Sequence, residues 1–375
     1  MIKLRLLTIL FIAISAITFS AFAQKLPEKK GMLQVMAKMN NYFMRKWPDP
    51  GKDIMTNRLR PSNIWTRAVY YEGVIDYYKV SKDKSALDYA VLWGEKHKWG
   101  LRDGPGTRNA DNQCCGQTYL DLYLMDPKPE RLHDIKLSID SMVINPKNDA
   151  WSWVDALQMA MPVFARLGVI EKKNIYYERM FDMYDFTKTK HGTNGLYNPA
   201  EGLWWRDKDF VPPYKEPNGD DCYWSRGNGW AIAALVRVLD VMPLSAPHRE
   251  VYLKDFLAMS KALKPLQRKD GFWNVSLNDS TNFGGKEVSG TALFIYGMAW
   301  GVNRGLLSKK EYQPVIVKAW NAIIKDALRP DGSLGFVQGT GKEPKDGQPV
   351  TFDSTPDFED YGLGCVLLAG SEIYK

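Results

Sequence analysis

Connections of two alternating lengths constrain this chain more than any other feature. Helical periodicity recurs along it while alternating strand runs are scarce. The pattern predicts twelve helices, over 33–46, 65–79, 84–97, 115–126, 130–144, 153–167, 172–188, 228–242, 249–263, 288–305, 310–326 and 358–373. Short links at 81–83, 126–129, 168–171, 243–248 and 306–309 alternate with long segments at 47–64, 98–114, 145–152, 189–227, 264–287 and 327–357. A short link makes an antiparallel helix pair, and a long one carries the chain back to begin the next. The expected fold is all-α, an (α/α)6 barrel in one domain over 24–375, with every long loop on one rim. Its inner helices are 65–79, 115–126, 153–167, 228–242, 288–305 and 358–373. Their N-termini, with unpaired N–H groups and positive dipole ends, face that rim and favour an anion. An irregular helical bundle or solenoid is the alternative.

Lys3 and Arg5 precede an apolar run from Leu6 to Phe19 and then Ala21-Phe22-Ala23, the three regions of a secretory signal peptide. Cleavage before Gln24 is expected, placing the mature protein in the periplasm or the extracellular medium, with no membrane association afterwards. Removing 1–23 lowers the formal charge from +7 to +5, 48 basic against 43 acidic residues. That mild excess is dispersed, which argues against a nucleic-acid partner. Cys114, Cys115, Cys222 and Cys365 do not make a disulfide framework, and His97, His133, His191 and His248 stand apart, so no metal site is expected. Gly339-Thr340-Gly341-Lys342 suggests a phosphate loop but lacks the upstream glycine and is followed by Glu343, so it is set aside.

The long-loop face is rich in indoles: Trp99, Trp151, Trp153, Trp204, Trp205, Trp224, Trp230 and Trp273. A flat ring with one N–H donor suits the apolar face and polar rim of a pyranose, although wedging loops against helix ends is the plainer role for most of them. Asp155, in Trp151-Ser152-Trp153-Val154-Asp155-Ala156-Leu157-Gln158-Met159, opens an inner helix, and Asp111 sits just before the preceding one. Each could be only a helix cap. Two carboxylates at adjacent inner-helix starts can also converge on one cavity, as acid/base chemistry on a sugar requires. In Trp224-Ser225-Arg226-Gly227-Asn228-Gly229-Trp230, Arg226 offers a planar fork to a carboxylate between two indoles. Ser289 and Thr291 open another inner helix, where hydroxyls either cap it or touch a ligand.

Trp153-Val154-Asp155-Ala156-Leu157 with Met159, the stretch from Trp224 to Trp230, and Ser289-Gly290-Thr291-Ala292 together resemble the unsaturated glucuronyl and rhamnogalacturonyl hydrolases of glycoside hydrolase families 88 and 105, more closely the second. The resemblance spans nearly the whole mature chain. It implies an (α/α)6 barrel and removal of the 4,5-unsaturated uronic acid that polysaccharide lyases leave at the non-reducing end of oligosaccharides, with no metal or organic cofactor. By motif position Asp155 matches the general acid/base and Asp111 the second carboxylate, while Trp153, Arg226 and Trp230 match substrate contacts. One departure is Arg206, which follows Gly202-Leu203-Trp204-Trp205 where the family often carries a histidine. A second guanidinium there could bind a carboxylate or sulfate.

The expected chemistry is hydration of the C4=C5 enol ether. Asp155 protonates C4, and a water oriented by Asp155 or Asp111 adds at C5. A donor that is protonated near neutral pH needs a raised pKa, which burial beside Trp153 and repulsion from Asp111 can supply. The sequence also allows two rivals: a conventional inverting glycosidase using Asp111 and Asp155, and an exported sugar-binding protein without catalysis.

Overall fold

A computed structural model describes residues 25–55, 58–353 and 360–375; the expected signal peptide lies outside the described residues. The first helix, α1 (Lys29–Lys46), leads by a long segment to the pair α2 (Trp65–Ser81) and α3 (Lys84–Lys96). A four-residue helix, α4 (Ala110–Gln113), precedes the pair α5 (Cys115–Met125) and α6 (Pro129–Val143). The pairs α7 (Asp155–Glu171) with α8 (Ile175–Thr189), α9 (Ser225–Val241) with α10 (Arg249–Leu263), and α11 (Val288–Asn303) with α12 (Lys309–Ala322) follow. A single π turn, Ile323–Ala327, extends α12, and α13 (Asp360–Tyr374) ends the chain.

Helices α2, α5, α7, α9, α11 and α13 each pack on the next, and α13 packs on α2, so the six close into a ring. The outer helices lie against them, and α1 packs mainly on α13, which makes the sixth pair from the two ends of the chain. Burial follows position. Inner α11 is buried without a break from Val288 to Gly301, whereas outer α12 buries only a stripe of Tyr312, Ile316, Val317, Ala319, Trp320 and Ala322. The expected barrel is therefore present with its inner set in place. Several details differ: α1 starts at Lys29, not 33; α7 starts at Asp155, not 153; α8 starts at Ile175, not 172; α9 starts at Ser225, not 228; α4 occupies a segment read as loop; and the long loops carry two small strand pairs, Ile54–Met55 with Leu59–Arg60 and Tyr197–Asn198 with Leu203–Trp204. The predicted start of α13 at 358 lies outside the described residues.

Two features fix the ring. Where α13 closes on α2, a Cβ at Gly73 would lie 2.5 Å from the Gly364 carbonyl oxygen, and one at Gly364 would lie 2.3 Å from the Val69 oxygen. Only glycines allow those backbones to touch. Arg67 Nε reaches Asp360 Oδ2 across the same seam at 2.6 Å. Deeper in the barrel, Asp121 of α5 accepts from Arg166 of α7 at 2.6 and 3.1 Å and from Arg237 of α9 at 3.3 Å. Arg237 also lies 3.4 Å from Glu72 of α2, so one buried ionic network ties four inner helices. Among the described residues no helix is long and apolar enough to cross a membrane.

Candidate active site

On the long-loop rim, the segment before α7 is pinned to the residues after the second strand pair. Val154 N–H donates to Arg206 O at 2.8 Å, and Trp153 bridges Asp207. This places Asp155, the first residue of α7, against the side chain of Arg206. Arg206 Nε lies 3.3 Å from Asp155 Oδ2, and its Nη1 donates to Asp207 Oδ2 at 2.6 Å. The 3.3 Å contact is an ion pair without hydrogen-bond geometry: Arg206 Nε and Asp155 Oδ2 are both buried and both lack a hydrogen-bond partner.

Helix α4 packs on α7 and brings Asp111 to the same place. Asn109, not Asp111, is the cap of α4, since its Oδ1 accepts from Asp111 N–H at 2.9 Å, which leaves the Asp111 carboxyl for other work. The two aspartates, Arg206, Trp153 and Met159 line a cavity of about 180 Å³ together with Trp65, Thr340 and Gly341. Burial and then the neighbouring Asp155 charge push the Asp111 carboxyl up to about 6, against the pull of Arg206 and Arg102. Burial raises the Asp155 carboxyl as well, opposed by Arg206 and Arg226. Two carboxyls of raised pKa beside a guanidinium can hold a proton and an anion within one small space.

Other expected contacts sit elsewhere. Arg226 does not line the cavity: its Nη1 donates to Gln338 O at 2.7 Å and its Nη2 to Gly339 O at 2.8 Å. The rings of Trp224 and Tyr361 lie 4.5 and 5.1 Å from its Cζ. A planar fork between two rings is present, but the second ring is Tyr361 and not the expected Trp230, and the fork grips backbone carbonyls and so holds the loop that carries Thr340 and Gly341 to the cavity wall. Trp224 supports the same loop, with Nε1 donating to Gln338 Oε1 at 2.8 Å. Trp230 is fully buried and meets Trp65 edge-on, 6.1 Å between centroids, so it props a cavity residue without lining the cavity. Ser289 Oγ donates to Glu287 Oε1 at 2.5 Å, within the cap of α11. Thr291 Oγ1 accepts from Trp273 N–H at 3.1 Å. Of the eight indoles singled out, only Trp153 lines the cavity, and the other seven are buried.

The sequence reading missed Trp65, Thr340 and Gly341. Trp65 opens an inner helix exactly as Asp155 does, a position that would have marked it. Thr340 and Gly341 belong to the glycine stretch set aside as a failed phosphate loop, although its place in a long loop put it on the right rim.

The model of the family described as Glycosyl Hydrolase Family 88 matches residues 35–375. A protein of Formosa agariphila named unsaturated 3S-rhamnoglycuronyl hydrolase is 31% identical, with 99% of this chain and 98% of that protein covered. Among solved structures, a glycosyl hydrolase of family 88 from Bacteroides vulgatus superposes with a TM-score of 0.83 at 32% identity, covering 92% of this chain and 99% of that one. Another, described as a polysaccharide lyase, gives a TM-score of 0.83 at 31% identity, covering 93% and 98%.

Proposed function

The chain belongs to glycosyl hydrolase family 88, and from that premise we propose how its cavity removes a 4,5-unsaturated uronic acid from the non-reducing end of lyase-generated oligosaccharides. It is a glycoside hydrolase, and its named relatives act on unsaturated rhamnoglycuronyl substrates. The observation that carries the mechanism is the convergence of Asp111, Asp155 and Arg206 on one cavity of about 180 Å³.

Arg206 takes the uronate carboxylate, the task first given to Arg226. Its Nη2 makes no hydrogen bond among the described residues, and its pairing with Asp155 is loose. When the substrate anion claims that guanidinium, Asp155 loses part of its counter-charge and gains a negative neighbour. Both changes raise its pKa and load it with a proton as the substrate arrives. Asp155 delivers the proton to C4, and positive charge develops at C5 and the ring oxygen. Water, giving its proton to Asp111 or Asp155, adds at C5. The hemiketal opens by breaking the bond from C5 to the ring oxygen, and C1 then collapses to an aldehyde and releases the remaining sugar. Trp153 and Trp65 offer rings to the sugar.

Reaction in deuterated water tests this. Hydration places one deuterium at C4 and bleaches the ultraviolet absorbance of the conjugated alkene. No deuterium at C4, with saturated uronosides cleaved equally fast, replaces this mechanism with direct attack at the anomeric carbon. A lyase, the activity given for one structural neighbour, would instead make the absorbance rise on intact polysaccharide. We also propose export to the periplasm or the medium, on the strength of Lys3, Arg5 and the apolar run ending at Ala23.

A further inference from the structure

We propose that the outer face of α12 binds a polyanionic polysaccharide at a site separate from the catalytic cavity. A groove of about 830 Å³ runs between α12, the residues at 269–270 and the segment holding Lys25 and Leu26. Six lysines line it: Lys25, Lys269, Lys309, Lys310, Lys318 and Lys325. Positions 310, 314, 317, 318, 321 and 325 fall on one side of the helix, so the stripe is roughly 20 Å long.

The groove's two acids are already matched from outside it. Asp326 holds Lys286 at 2.7 Å, and Asp270 holds Arg268 at 2.9 Å. None of the six lysines forms an ion pair with a carboxylate among the described residues. Glu311 turns away and pairs with Lys264 at 2.6 Å, so α12 segregates its charge instead of mixing it as a merely solvated helix does. Pro314, Val317 and Ala322 supply apolar surface and Gln313 supplies an amide, while Asn321 Nδ2 donates to Lys25 O at 3.2 Å and ties the two walls together. A sugar chain bearing carboxylates or sulfates has each complement: C–H faces, hydroxyls and fixed negative charge.

The position suits such a ligand. The chain leaves α12 at the catalytic rim and next forms the loop that brings Thr340 and Gly341 to the cavity. A polymer held here stays beside a cavity that trims one sugar from each released fragment. The choice of occupant rests on the function proposed above.

The test is affinity electrophoresis in gels containing polygalacturonate, dextran sulfate, neutral dextran or duplex DNA. The wild type is compared with Lys310→Glu/Lys318→Glu/Lys325→Glu and with a control of equal net charge, Lys52→Glu/Lys147→Glu/Lys254→Glu. The groove variant should bind both anionic polysaccharides at least about tenfold more weakly and the control within about twofold of wild type, because local charge and not net charge sets the affinity. Neutral dextran should retard none. All three should hydrolyse a short unsaturated disaccharide at equal rates and melt at similar temperatures. Equal weakening in the control overturns the site, as does tighter retention of wild type by DNA than by either polysaccharide. Sedimentation showing a wild-type dimer that the groove variant loses makes the face an interface between copies instead. Failure of wild type to hydrolyse the disaccharide removes the functional reading alone, because retention on the polymers is scored separately.

Discussion

Asp155 and Asp121 are both buried aspartates on inner helices, each facing an arginine, yet their carboxyls shift in opposite directions. Burial alone would push Asp121 up, but Arg166, Lys79 and Arg237 outweigh it and hold it well below the usual carboxylate range. At Asp155 burial prevails over Arg206 and Arg226. The difference lies in geometry. Asp121 receives a two-pronged Arg166 and a second arginine, whereas Asp155 has one loose contact at 3.3 Å. Saturating a buried carboxylate with donors makes a brace. Leaving one oxygen without a donor makes a group that can exchange a proton.

The sharpest way to break this comparison is to replace each aspartate by asparagine. Asp155→Asn should lower kcat by about a thousandfold, since the amide keeps the shape but cannot deliver a proton. Its melting temperature should stay level or rise. Asp121→Asn should do the reverse, costing about 3–5 kcal/mol in urea unfolding because two arginines lose their counter-charge, while the folded fraction turns over normally. Near-normal kcat in Asp155→Asn, or unchanged stability in Asp121→Asn, would erase the distinction.

Next in size is the contrast between the two rim arginines. Arg206→Lys should raise KM for the acid substrate by about 10–100-fold and leave its methyl ester almost unaffected, because a point ammonium cannot reproduce a charged fork. Arg226→Lys should lower kcat for acid and ester alike, because it loosens the loop at 338–341 without touching the carboxylate. An acid-selective defect in Arg226→Lys would return carboxylate recognition to that residue.

The smallest effect concerns Asp111. Its folded pKa of about 6 lies above the ordinary 3.8, so between those pH values the folded state holds a proton that the unfolded chain has released. That contribution to stability is complete below pH 3.8 and is lost as pH rises through about 6. Asp111→Asn cannot ionise, and it should match wild type near pH 4 and exceed it by about 1–2 kcal/mol at pH 8, measured by denaturant melts. A stability difference that does not vary with pH would place Asp111 outside a desolvated site.

Much of this was legible in the chain. Loop lengths are a one-dimensional record of which helices are neighbours, so the ring and its inner set could be read from spacing. Asp155 and Asp111 could be found because a helix start fixes a residue's position on the rim. Which way a rim side chain faces is decided by partners distant in sequence. Arg226 looks open beside its own neighbours, but the carbonyls of Gln338 and Gly339, 112 and 113 residues later, occupy its fork. Trp230 is a second case, its partner Trp65 lying 165 residues earlier, whereas Ser289 resolves to the capping alternative through its near neighbour Glu287.

The glycine seam between α2 and α13 sets a timetable for synthesis. Arg67 and Asp360 meet across 293 positions of sequence, so the stave that closes the ring is synthesised after the other five. Until then five inner helices form an open arc whose two unpaired edges are apolar, and closing it carries the loop entropy of the 293 positions between Arg67 and Asp360. Exposed edges of that kind invite aggregation of the nascent protein. A stop codon before residue 360 therefore removes far more than one helix: it leaves a barrel that cannot close.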